Sequence, residues 1–150
     1  MKKALKITLF GLFLSLFLSP TPLRAQSALE FSDVRYLTTA DFKFRVFNYT
    51  TDSIWHYLGE TPCVIDLYAD WCGPCRRLAP IMAELAEDYC DQVIFYKINV
   101  DREKELAYYF QASSIPMLVF VPVHGLPQVA RGLLPKETLQ QAINEILLTR

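Results

Sequence analysis

Three apolar runs, each set beside a stretch with helical spacing, give the chain its rhythm. Cys63 to Ala69 is apolar throughout except for Asp66, the pattern of a strand buried on both faces. Arg76 to Tyr89 then repeats at helical spacing, with Leu78, Met82, Leu85 and Tyr89 on one face. Val93 to Ile98 reads as a second strand, Glu103 to Phe110 as a short helix, and Met117 to Val121 as a third strand. His124-Gly125, between Pro122 and Pro127, marks a hairpin turn into Gln128 to Arg131. Pro135 opens a last helix whose inner face is Leu139, Ala142, Ile143, Ile146 and Leu147.

Ahead of these runs, residues 26–35 are expected to be extended, and Tyr36-Leu37 to begin a first strand. Thr38 to Asp41 offers capping residues for a short helix through Phe42 and Val46. Asn48 to Ser53 is turn-rich, and Ile54 to Leu58 is expected to form a helical turn packing aromatics on the body. Pro80, inside the second helix, removes a backbone bond and predicts a kink. The pattern β-α-β-α-β-α-β-β-α is that of an α/β domain. Its central sheet is mixed, with parallel strands plus a C-terminal antiparallel hairpin, and helices flank both faces. No repeat, low-complexity tract or second domain is visible.

Composition agrees with a single packed domain: 150 residues, 52% of them apolar, with a formal charge of −1. The N-terminus reads differently. Lys2, Lys3 and Lys6 precede an apolar run, Ile7 to Leu18, too short for an ordinary membrane span. Pro20, Pro22 and Leu23-Arg24-Ala25 follow, with a small residue where a signal peptidase would cut. Residues 1–25 are therefore expected to be a cleaved secretory signal and 26–150 the mature domain; an uncleaved anchor is the alternative. Cleavage would remove four positive charges and no acids, taking −1 to −5. Such an acidic domain carries no electrostatic footprint for nucleic acid or an anionic membrane.

The chemistry concentrates in Trp71-Cys72-Gly73-Pro74-Cys75, at the junction between the Cys63–Ala69 strand and the following helix. A thiol at a helix N-terminus meets unpaired backbone N–H groups and the positive end of the macrodipole, which favour thiolate. The second thiol lies one turn on, where it can attack a mixed disulfide formed by the first. Gly73-Pro74 places no positive charge between the sulfurs, which points to a reductant rather than an oxidant. Asp66 is an acid in a buried strand, costly without a task or a partner. Burial raises its pKa and suits it to proton exchange near neutrality.

These residues and others in order, Asp66, the C-x-x-C, Pro80, Lys97 in Tyr96 to Asp101, Ile115-Pro116 and Gly132, make residues 34–149 similar to thioredoxin. The signal, the 47–61 segment and the long Val121–Gln128 hairpin make the chain resemble exported, periplasmic thioredoxins of Gram-negative bacteria. The resemblance implies a thioredoxin fold and a protein-disulfide reductase. In it Cys72 is the exposed attacking thiol, Cys75 the more buried resolving thiol, Asp66 the proton acceptor for Cys75, and Lys97 the partner that moderates Asp66. The base rate for X–Pro bonds predicts trans at Ile115-Pro116; the resemblance implies cis, with the preceding backbone pairing with an extended substrate. Trp71, Gly73, Pro74, Ile115, Pro116 and Gly132 would form the substrate-docking rim. No cofactor or metal is implied, since electrons pass through the Cys72–Cys75 pair. The implied partners are protein disulfides and a membrane thiol-electron donor, and the mature chain is expected to be a monomer without stable membrane insertion.

Cys63 and Cys90 fall outside the motif. Most of a strand separates Cys63 from Cys72, and a helix running back roughly 25 Å brings Cys90 to the Cys63 end of the sheet. That spacing opposes a four-cysteine zinc site. A Cys63–Cys90 bridge suits an oxidising compartment, but alternation points Cys63 with Ile65 and Leu67 away from the helix that Asp66 faces. Two separate, partly buried thiols are expected. His56 and His124, one in the 47–61 segment and one in a turn, are expected to be neither ligands nor bases. The competing readings are a reductase dedicated to one client such as cytochrome c maturation, a disulfide oxidase or isomerase, and a non-enzymatic adaptor.

Overall fold

The computed structural model describes residues 33–149; the expected signal, residues 1–25, lies outside them. The elements are β1 (Arg35–Tyr36), α1 (Thr39–Arg45), β2 (Cys63–Tyr68), α2 (Gly73–Asp88), β3 (Ile94–Asn99), α3 (Lys104–Tyr109), β4 (Met117–Val121), β5 (Gln128–Arg131) and α4 (Lys136–Ala142). One π-helical turn, Ile143–Leu147, prolongs α4. The strands form one sheet in the order β1-β3-β2-β4-β5, with β1, β3 and β2 parallel and β4 and β5 antiparallel to their neighbours. This is the mixed sheet that the alternation of strands and helices predicts.

Side-chain alternation on this sheet divides the core in two. Cys63, Ile65, Leu67, Met117, Val119 and Val121 pack with Phe42 of α1 and Leu106 of α3. Val64, Leu118 and Phe120 point the other way, onto Leu78, Met82 and Leu85 of α2 and Leu139 of α4. Helices thus cover both faces, and burying each such side chain contributes roughly 1.5–3 kcal/mol.

Local signals explain the element ends. Thr38 caps α1 in a capping box, its hydroxyl oxygen accepting the Asp41 N–H at 3.1 Å while the Asp41 carboxylate accepts from the Thr38 backbone. Cys72 is the N-cap of α2, and Pro74 stands in the first turn, where its missing N–H costs nothing. Pro80 lies inside α2, which continues through it to Asp88. Gly125, with φ of 102°, turns the β4–β5 hairpin.

Residues 54–58 depart from expectation. They form no helical turn but an irregular stretch of alternating burial, with Trp55 and Tyr57 half-buried against the core and Ile54, His56 and Leu58 exposed. The Leu58 N–H donates to the Val46 carbonyl at 3.0 Å, and the Trp55 ring sits 4.8 Å from that of Phe47. A period of two, not 3.6, governs this stretch, because it lies flat on an aromatic layer instead of rolling over it.

Candidate active site

The end of β2 and the start of α2 place the two cysteines. The chain leaves β2 at Tyr68, turns through Ala69, whose carbonyl accepts the Cys72 N–H at 3.1 Å, and enters α2 at Gly73. Cys72 and Cys75 are joined in a disulfide. The Cys75 backbone N–H donates to Cys72 Sγ at 3.2 Å, so an orphan helix N–H points at this sulfur. Ala69, Cys72 and Cys75 form a small buried cluster, flanked by Tyr68, Val100 and Ile115.

The expected difference in exposure between the two cysteines is absent: both are 3% exposed. Cys72 is packed beneath its neighbours, with its sulfur 3.8 Å from the Ile115 carbonyl oxygen. What distinguishes the pair in this disulfide form is position, since Cys72 alone occupies the cap and receives the helix N–H.

Trp71, 68% exposed, stands beside the disulfide, and its indole N–H donates to Asp101 at 2.9 Å. The Ile115–Pro116 bond is cis. The Pro116 carbonyl accepts the Gly132 N–H at 2.8 Å, and Gly132 adopts φ of 87°, a region that favours glycine. The structure therefore gathers Trp71, Cys72, Gly73, Pro74, Cys75, Ile115, Pro116 and Gly132 around one disulfide. A Cβ on Gly73 would approach nothing nearer than Arg76, at 4.0 Å, so packing does not demand glycine there.

Asp66 sits one layer down. It is 5% exposed and faces α2, in a cavity of about 270 Å³ that it shares with Ala79, Met82 and Glu87 of α2, and with Asp33 and Lys97. Burial pushes its pKa up to about 7, opposed by the Lys97 charge. Its Oδ1 has no hydrogen-bond partner. Lys97 is the register neighbour of Asp66 across β2 and β3, but among the described residues no ion pair joins them. Its ammonium lies over the Tyr36 ring, 4.1 Å from the centroid. The expected Asp66–Lys97 partnership is thus one of charge at a distance.

Cys63 and Cys90 form no bridge. Cys63 is fully buried on the α1/α3 side, and burial pushes its thiol up to about 12 against a lowering hydrogen bond from Tyr57. Tyr36, Tyr68 and Asp101 were not singled out as site residues by the sequence. Asp101 ends the Tyr96–Asp101 stretch, but only the fold brings it to Trp71.

A buried acid beneath a helix-capping cysteine pair, with an exposed indole and an X–Pro loop at its mouth, defines a dithiol–disulfide oxidoreductase. The sequence matches the thioredoxin family model over residues 36–145. A thioredoxin of Borreliella burgdorferi is 38% identical over 109 residues, covering 73% of this chain and 93% of that one. A thioredoxin of Haemophilus influenzae is 32% identical over 114 residues, covering 76% and 97%. Chloroplastic thioredoxin z, a solved structure, superposes with a TM-score of 0.64 over 76% of this chain and 94% of its own, at 23% identity; that likeness concerns the fold. The chain belongs to the thioredoxin family, and its activity is protein thiol–disulfide exchange.

Proposed function

We propose that the chain works in the reducing direction, on protein disulfides, outside the cytosol. The observation that carries the reading is the Cys72–Cys75 pair at the α2 cap, separated by an uncharged Gly73-Pro74. No side chain between the sulfurs stabilises the thiolate, which keeps the dithiol a good electron donor.

In the reduced protein the Cys72 thiolate attacks one sulfur of a substrate disulfide. A Cys72–substrate bond forms and the substrate's other sulfur leaves as thiolate. Cys75 then gives its proton to Asp66 and attacks Cys72 Sγ. The second substrate thiolate leaves, and the Cys72–Cys75 disulfide remains. Two electrons have moved to the substrate, and no cofactor enters. Trp71, Gly73, Pro74, Ile115, Pro116 and Gly132 form the rim on which an extended substrate segment docks. A membrane thiol-electron donor restores the dithiol in a compartment kept oxidising. The export reading rests on the basic start, the apolar run and Ala25; the mature chain is then periplasmic and monomeric.

Insulin reduction followed by turbidity tests the activity: wild type precipitates the B chain and Cys72→Ser does not. A reduction potential of about −270 mV, the reference value for thioredoxin itself, supports the reducing direction and one of about −120 mV overturns it. N-terminal sequencing of protein from a periplasmic fraction tests export, with a start at Gln26 expected.

A further inference from the structure

Lys97 stands between two strands and two possible partners. In the register it faces Asp66 on β2 to one side and Tyr36 on β1 to the other. A lysine beside a buried carboxylate is expected to turn toward it. Here the ammonium turns the other way, onto the face of the Tyr36 ring, and Asp66 Oδ1 is left without a hydrogen bond. The ring's quadrupole attracts the cation. Tyr68 first, and then Lys97, also lower the pKa of the Tyr36 hydroxyl. Tyr68 in turn packs on the Cys72–Cys75 cluster.

We propose that Tyr36 is a positioning residue: it holds the Lys97 ammonium away from the Asp66 carboxyl, so that the acid beneath the dithiol keeps no cationic partner and can carry a proton. The bearing of this on catalysis rests on Asp66 being the proton acceptor of Cys75, as proposed above; the charge arrangement itself does not. Tyr36 suits the task because it is 65% exposed on a two-residue edge strand, with little packing to lose. The other charged or titratable groups facing this site are few. Asp33 and Glu87 line the cavity, Tyr68 lies beside Asp66 on β2, and Arg102 acts on Tyr36 from beyond β3. On β4 the register partner of Asp66 is Leu118, which is apolar.

The test is the titration of Asp66 followed by carbon NMR of its labelled carboxyl in the oxidised full-length protein. Tyr36→Ala releases Lys97 to the carboxylate, and the midpoint moves toward acid by about 1 pH unit. Tyr36→Phe keeps the ring and stays close to wild type. In a Lys97→Met background, Tyr36→Ala leaves the midpoint where that background put it. An unmoved midpoint in folded Tyr36→Ala overturns the proposal, whether Lys97 then turns to Glu87, to Asp33 or to solvent. So does an equal movement in the Lys97→Met background. The pH profile of mixed-disulfide resolution separates the two readings. If the carboxyl midpoint moves and the profile does not, the positioning stands and Asp66 is not the proton acceptor.

Discussion

The backbone N–H of Gly132 donates to the carbonyl of Pro116 at 2.8 Å, tying the turn after β5 to the loop that faces the dithiol. Gly132 reaches that carbonyl at φ of 87°. A Cβ added there would meet nothing within 4 Å, so the cost of a side chain is backbone strain alone. Gly132→Ala is expected to destabilise the fold by about 1–2 kcal/mol, lowering Tm by roughly 3–8 °C. It should also slow insulin reduction, since the rim loses its anchor. Differential scanning calorimetry beside the turbidity assay checks both.

Asp66 gives stability a specific dependence on pH. Its folded pKa, about 7, lies above the ordinary aspartate value of 3.8, so the native state holds the proton more tightly than the unfolded chain. The stability linked to that proton is complete below about pH 4 and is lost as pH rises to about 7. Asp66→Asn removes the dependence. Between pH 4 and pH 8 the variant should gain on wild type by on the order of 3–4 kcal/mol, read from urea unfolding at the two pH values. The same variant should resolve mixed disulfides more slowly at neutral pH, and an unchanged rate would count against Asp66 as proton acceptor.

Trp71 is held by Asp101 from across the site. Because both are on the surface, Asp101→Ala should change stability by less than about 0.5 kcal/mol. Its effect should fall on docking: KM for a protein disulfide rises about 2- to 10-fold, the equivalent of one lost hydrogen bond, with kcat little altered. In a Trp55→Phe background, the fluorescence anisotropy of Trp71 should drop in parallel.

Thiol counting checks the remaining cysteines. A Cys72→Ser/Cys75→Ser variant, denatured without reductant, should titrate two thiols; zero with intact monomer mass would show a Cys63–Cys90 bridge. In a variant whose only thiol is Cys63, the native protein should resist labelling until unfolded, because that sulfur is fully buried and its pKa is far above neutral.

Much of this was legible from residue order. Met117–Val121 and Gln128–Arg131 match the expected strands to the residue, because Pro and Gly punctuate both ends. Asp66 announced itself as an acid in an apolar run. What the sequence hid was direction. Ile54 to Leu58 carries large apolar residues at neighbouring positions, which suit a helix or an extended ribbon equally, and only the aromatic floor of Phe47 decides between them. Lys97 was visible, but which way its flexible stem turns depends on Tyr36, brought beside it only by the β1–β3 register. The burial of Cys72 depends on the Ile115 loop, 43 residues away in sequence.

The division of the core has a consequence for how this chain can be altered. Asp66 and Lys97 border the cavity beneath α2, whereas Trp55 and Tyr57 pack with the cluster on the opposite side of the sheet. A full layer of hydrogen-bonded backbone separates the two. The 47–61 segment therefore lies across the sheet from the buried acid: a reporter dye or affinity handle at outward-facing Ile54 would travel with the protein while remaining electrically remote from its proton.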